Sequence, residues 1–215
     1  MILRNIRPAI LALGLLAAAY LPAFAGASLI RPRVELAIPL VIGISVSIAL
    51  LLIFFLARHG SGFHAFGFTA PQRRDFPAGL LLGLPLALAV AWLSRMFPSK
   101  PPFDVSALPG WMISLYFVVA APIQEEVIFR GLIQSFLQQR WRLTLSLFGQ
   151  PFSPAVGCTA ILFSVVHLSA GPIVVIGAMA LSLLAGELRR RSGNLMPAIL
   201  VHALFNLTDV LWPGA

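Results

Sequence analysis

The chain has 215 residues, 59% of them hydrophobic and only 10% charged, with a mean hydropathy of +0.94, too little charge for a water-soluble domain of this length. The net charge of +8 does not point to a nucleic-acid binder, because the cations lie between apolar runs rather than on one soluble face. The single cysteine, Cys158, excludes an intrachain disulfide, a CxxC pair and a zinc cysteine cluster.

The expected fold class is all-α, a polytopic transmembrane helical bundle of about seven spans. The first span, 8–30, starts ambiguously. Arg4 and Arg7, the apolar stretch Ile10 to Tyr20 and Ala23-Phe24-Ala25 resemble a cleavable signal peptide. Apolar residues continue to Ile30, which favours a retained span. The second span covers 36–57, and the Gly- and Phe-containing loop from His59 to Phe68 reads as interfacial. The third covers 77–97. The fourth, 111–137, is long; its tail, 131–142, carries Gln134, Gln138, Gln139, Arg140 and Arg142 and reads as an amphipathic segment along the interface. The last three cover 153–169, 172–188 and 195–212, the second of these being short for a full crossing. Seventeen glycines and seventeen prolines do not oppose this reading, since neighbouring helices in a membrane re-satisfy the backbone. Residues 1–110 form a three-span region without motifs and 111–215 a second region that holds the polar motifs, together one integral membrane domain.

Lys and Arg set the orientation. With a cytoplasmic N-terminus, eleven of the fifteen fall on the inside: Arg4, Arg7, Arg58, Arg73, Arg74, Arg130, Arg140, Arg142, Arg189, Arg190 and Arg191. Arg31, Arg33, Arg95 and Lys100 fall outside. Arg189-Arg190-Arg191 reads most simply as a topology anchor, with attraction of anionic lipid or an acidic substrate segment as the alternative.

Three spans carry polar side chains where insertion costs roughly 2.5–3.5 kcal/mol per charge. In Gln124-Glu125-Glu126-Val127-Ile128-Phe129-Arg130, Glu126 and Arg130 share a helix face and form an ion pair, which a purely structural role also explains. Glu125 points about 100° away and lacks that partner, the situation of a general base or acid. In Phe163-Ser164-Val165-Val166-His167, the ring and the imidazole share a face. In His202-Ala203-Leu204-Phe205-Asn206, an imidazole and a carboxamide lie side by side, placed to donate hydrogen bonds to an oxyanion or to bond a neighbouring helix. Asp209 continues that stripe at the solvated end of its span. Glu125, His167 and His202 lie about 13, 14 and 8 residues from the assigned cytoplasmic ends, or roughly 12–21 Å deep. Neither HExxH nor GxSxG occurs.

Glu125-Glu126-x-x-x-Arg130, Phe163-x-x-x-His167 and His202-x-x-x-Asn206, in this order on three spans, resemble the motif set of the CAAX protease and bacteriocin-processing family. Phe129-Arg130-Gly131-Leu132 and the run Ser192 to Ile199 agree in local texture, and the resemblance covers about 111 to 210. It implies an intramembrane endopeptidase opening toward the cytoplasm, with Glu125 and His167 activating water. It further implies that His202 and Asn206 stabilise the oxyanion while Glu126 and Arg130, with Phe163, organise the site. No cofactor is favoured; the alternative is a zinc metalloprotease with Glu125, His167 and His202 as ligands. The expected partners are the lipid bilayer and a membrane-associated peptide or protein substrate. The composition suggests a bacterial inner membrane. A non-enzymatic scaffold or immunity-type protein of the same fold and a proton-coupled transporter are the competing readings.

Overall fold

A computed structural model describes residues 2–30, 33–97, 108–141, 144–147 and 150–211; Arg31, Lys100 and Arg142 of the charge count lie outside them. The described residues form α1 (Ile2–Ser28), α2 (Val34–Arg58), α3 (Phe76–Ser94), α4 (Gly110–Arg140), α5 (Pro154–Val165), α6 (Pro172–Ser192) and α7 (Met196–Leu211). Two short antiparallel strands, β1 (Leu145–Leu147) and β2 (Gln150–Phe152), pair between α4 and α5 with Leu145 opposite Phe152. The sequence reading did not anticipate them. The molecule is an all-α membrane bundle, with α1, α2, α3, α4 and α6 long and apolar enough to cross a bilayer.

Small residues make the helix contacts and large ones face outward. On α3 the buried positions are Gly79, Gly83, Ala87 and Ala91, a strict four-residue stripe. Leu80, Leu81, Leu82, Leu84, Leu88 and Trp92 are exposed. Lipid tails are as apolar as leucine, so burying leucine gains little, whereas small side chains let backbones approach and gain dispersion contact. The stripe lies on α7 and α6: a Cβ at Gly79 would touch Pro197 and Leu188, and one at Gly83 would collide with Cγ2 of Val201. Gly83→Val is therefore expected to lower stability by about 1–3 kcal/mol through overpacking. Thermal unfolding in detergent would read this, and because Val201 precedes His202, a loss of activity should accompany it.

The tail of α4 departs from expectation. Residues 131–137 are not interfacial but the most enclosed part of the helix, with Leu132, Ile133, Gln134 and Leu137 fully buried. The glutamine is accommodated because its Nε2 donates to the Gly186 carbonyl of α6 at 2.9 Å. A polar residue therefore marks a helix contact here, not a wet face. The relative lengths of the two penultimate spans also differ from expectation. α6 runs 21 residues, through Arg189, Arg190 and Arg191, and ends only at Gly193, whose φ of +71° permits the N–H to reach Arg189 O at 3.0 Å. The short helix is α5, with 12 residues, about 18 Å against a hydrocarbon core of roughly 30 Å.

The arginine triplet divides in the same way. Arg190 and Arg191 bind Glu187 at 2.6–2.7 Å. Arg189 is buried and donates to Ala65 O at 3.0 Å and Ser135 Oγ at 3.1 Å. It clamps the 3-10 turn Phe63–Phe66 onto α4 and is a packing residue rather than a surface anchor.

Candidate functional site

α4 positions the acidic pair. It is not a uniform α-helix but widens into π turns over Leu115–Ala120 and Val127–Gln134, with Ala121–Glu126 regular between them. The first wide turn has a cause in the sequence. The Ala121 N–H bonds Tyr116 O, five residues back, so the next N–H in that register would bond Phe117 O. That residue is Pro122, which has no N–H. The orphaned carbonyl instead accepts a 2.8 Å hydrogen bond from Asn206 Nδ2 on α7. One amide hydrogen of Asn206 is thereby spent on orientation, and the second remains for another acceptor.

Glu126 and Arg130, predicted to pair, do so: Nε lies 3.0 Å from Oε2, and both side chains are fully buried. The other carboxylate oxygen accepts from His202 Nδ1 at 2.8 Å. The Arg130 guanidinium carbon also lies 4.8 Å from the Phe163 ring centroid, where the ring face attracts the cation. Glu125 is different. Its side chain is 20% exposed, and Oε2 sits 3.7 Å from His202 Nε2 without any hydrogen bond. The sequence separated a paired from an unpaired glutamate, and the structure keeps them in those two states.

His167 lies in a turn, not inside a helix as the sequence reading placed it. α5 ends at Val165; the His167 N–H bonds Ser164 O, a single 3-10 turn spans Leu168–Ala170, and Gly171 at φ +110° precedes Pro172, the first residue of α6. Pro172 supplies no N–H to continue a helix, so the chain must reverse in six residues. Val165, Val166 and Leu168 are exposed there. The His167 Nδ1–H donates to Phe163 O at 2.7 Å. A carbonyl accepts only, so Nδ1 carries the hydrogen, and in the neutral imidazole Nε2 keeps its lone pair. The same reasoning assigns Nδ1–H to His202, bound to the Glu126 carboxylate.

Phe163 joins the parts. Its ring centroid lies 4.7 Å from that of His167, 5.7 Å from His202 and 4.9 Å from Phe129. The predicted contact with His167 is present, and the one with His202 extends it across helices. Glu125, Glu126, Arg130, Phe163 and His202 thus converge. His167 joins them through Phe163, and Asn206 lies one turn beyond His202 on α7. Asp209 is exposed at the end of α7, away from the cluster.

The sequence reading missed Tyr20. On α1, its ring packs 6.2 Å from that of Phe129, which in turn meets Phe163 at 4.9 Å. A polar aromatic standing alone in the apolar stretch from Ile10 to Ala27 was the available signal.

Residues 107–208 match the family described as Type II CAAX prenyl endopeptidase Rce1-like. That stretch is similar to the CAAX protease family. The match contains every motif residue of the cluster, from Glu125 to Asn206, while α1 to α3 lie outside it. The family so described is one of endopeptidases. No curated protein and no solved structure matches the chain.

The zinc alternative meets the geometry at this point. Among the described residues, no three His, Cys, Asp or Glu side chains converge closely enough to hold a metal ion. Glu125 and His202 are neighbours, and each imidazole keeps Nε2 apart from its Nδ1 bond, but His167 does not complete such a group of three with them among the described residues.

Proposed function

We propose that this protein is an intramembrane endopeptidase that hydrolyses a peptide bond of a membrane-associated protein or peptide. The observation that carries this reading is the unequal pair of glutamates. Glu126 is locked between Arg130 and His202, whereas Glu125 is partly accessible, without a hydrogen bond, and next to the Nε2 of the same histidine.

Each group then has a task. Glu125, together with the free Nε2 of His167, takes the proton from water as its oxygen attacks the scissile carbonyl carbon. The carbonyl oxygen becomes an oxyanion and accepts hydrogen bonds from His202 Nε2–H and from the second amide hydrogen of Asn206. His202 donates from Nε2 when both its nitrogens carry hydrogen, and the Glu126 carboxylate holds its Nδ1–H at 2.8 Å and so aims the ring. Collapse of the tetrahedral intermediate breaks the C–N bond, and the proton held by Glu125 or His167 goes to the leaving amine. Arg130 holds Glu126, and Phe163 sets both imidazole planes. An apolar cleft of about 340 Å³, lined by Phe68, Ile123, Val127, Leu195, Met196 and Ile199, lies one helical turn from Glu125 and His202 and would take the substrate backbone. The charge bias supports a site opening to the cytoplasm, and the composition supports a bacterial inner membrane as its location.

The test is cleavage of a membrane-anchored peptide library by the purified protein in detergent, with and without a chelator. Cleavage is expected, and it should persist when the chelator is present. Loss with chelator and recovery with zinc would overturn the metal-free sequence of steps. Absence of cleavage, with Glu125→Ala still functional in cells, would replace the enzyme by a scaffold of the same fold.

A further inference from the structure

At the ends of α2 and α4, away from the glutamates, a second cavity of about 300 Å³ is lined by Phe55, Leu56 and Phe66 on one side and by His59, Gln139 and Arg140 on the other. The polar wall consists of donors. The Arg140 guanidinium is stacked 3.5 Å from the Phe136 ring centroid and spends one N–H on Phe136 O at 3.2 Å. Its other N–H groups have no acceptor among the described residues. Gln139 is held by its oxygen, which accepts from Ser61 Oγ at 3.0 Å, so its amide nitrogen is fixed in place; that nitrogen is shielded from solvent and has no partner. A buried donor without an acceptor costs about 1–3 kcal/mol and marks a place where an acceptor belongs.

The surrounding charge has one sign. No lining residue is acidic. Arg58 ends α2 beside His59, and Arg189, which makes no ion pair among the described residues, holds Ala65 next to Phe66 in the cavity wall. Phe54 and Phe63, partly exposed and 6.2 Å apart, extend the apolar side outward.

We propose that this cavity binds the phosphate of one anionic phospholipid, with Arg140, the Gln139 amide and His59 donating to the phosphate oxygens and the acyl chains lying over Phe55 and Leu56. A free phosphate would use the donors but not the apolar wall, which is why the lipid is the better fit. This places the lipid at the end of the bundle that the charge bias assigns to the cytoplasm, the side where anionic headgroups meet cationic residues. It does not depend on the protease chemistry.

Delipidated full-length protein in detergent would be titrated with dioleoylphosphatidylglycerol and with dioleoylphosphatidylcholine, and bound lipid counted by native mass spectrometry. One phosphatidylglycerol should bind, in clear preference to phosphatidylcholine. Arg140→Gln should weaken it by about fivefold, the effect of one cation near a headgroup, and His59→Ala should weaken it measurably by removing one donor. His59 is exposed and caps no buried group, so its replacement tests the site even if the arginine variant folds poorly. Equal retention of the two lipids, or unchanged binding in both variants, would overturn the proposal. Displacement of the lipid by millimolar inorganic phosphate alone would reassign the site to free phosphate and overturn the lipid assignment.

Discussion

Glu126→Ala is expected to destabilise the protein by about 3–5 kcal/mol, because it leaves the Arg130 guanidinium buried without its anion. Both side chains are wholly enclosed, so water cannot replace the carboxylate, and the His202 ring loses the acceptor that fixes its Nδ1–H. Thermal or denaturant unfolding in detergent measures the loss. Glu126→Met combined with Arg130→Met should recover much of it, since an apolar pair of similar volume removes both charges together. Activity should not return in the double variant, because His202 stays unoriented. An Ala variant as stable as wild type would show that the buried pair contributes nothing to the fold.

Glu125→Gln should have the opposite signature. Cleavage should fall by about 10²–10⁴-fold, the range for loss of a positioned acid-base group, while the melting temperature stays close to wild type. The substitution keeps the shape and removes only the proton-accepting oxygen. The buried Arg130 guanidinium takes its ion pair from Glu126 rather than Glu125, whose side chain instead meets His202 Nε2 at 3.7 Å. Adjacent residues of one helix would then separate cleanly, one through activity and the other through stability. If Glu125→Gln instead unfolded the protein and the folded fraction cleaved normally, Glu125 would be structural and the proposed base would have to be His167 alone.

Span positions could be read from sequence because a bilayer admits few solutions. A long apolar run must satisfy its backbone internally, so α1 to α4 appear close to their predicted places. Motif pairs four residues apart were equally legible: helical geometry alone puts Glu126 beside Arg130, and the 4.7 Å contact of Phe163 with His167 survives even though the helix ends between them. Depth failed where non-helical backbone intervened. The turn after Val165 depends on how α5 meets α6, which hydropathy does not report. Gln134 and Arg189 were read as interfacial because composition cannot tell a polar residue facing water from one bonded to the next helix.

By itself, then, the sequence determined a helical membrane bundle and the pairing of Glu126 with Arg130 that leaves Glu125 apart. These follow from local periodicity and from the cost of placing charge in hydrocarbon. Only the tertiary structure decided which group meets which: that His202 bridges toward both glutamates, that Asn206 takes the carbonyl orphaned by Pro122, and that Tyr20 from α1 packs against Phe129. Those contacts join residues from about 80 to more than 100 positions apart in the chain. They depend on the small-residue stripes that let helices approach, and the distance of that approach is a property of two surfaces rather than of either segment alone.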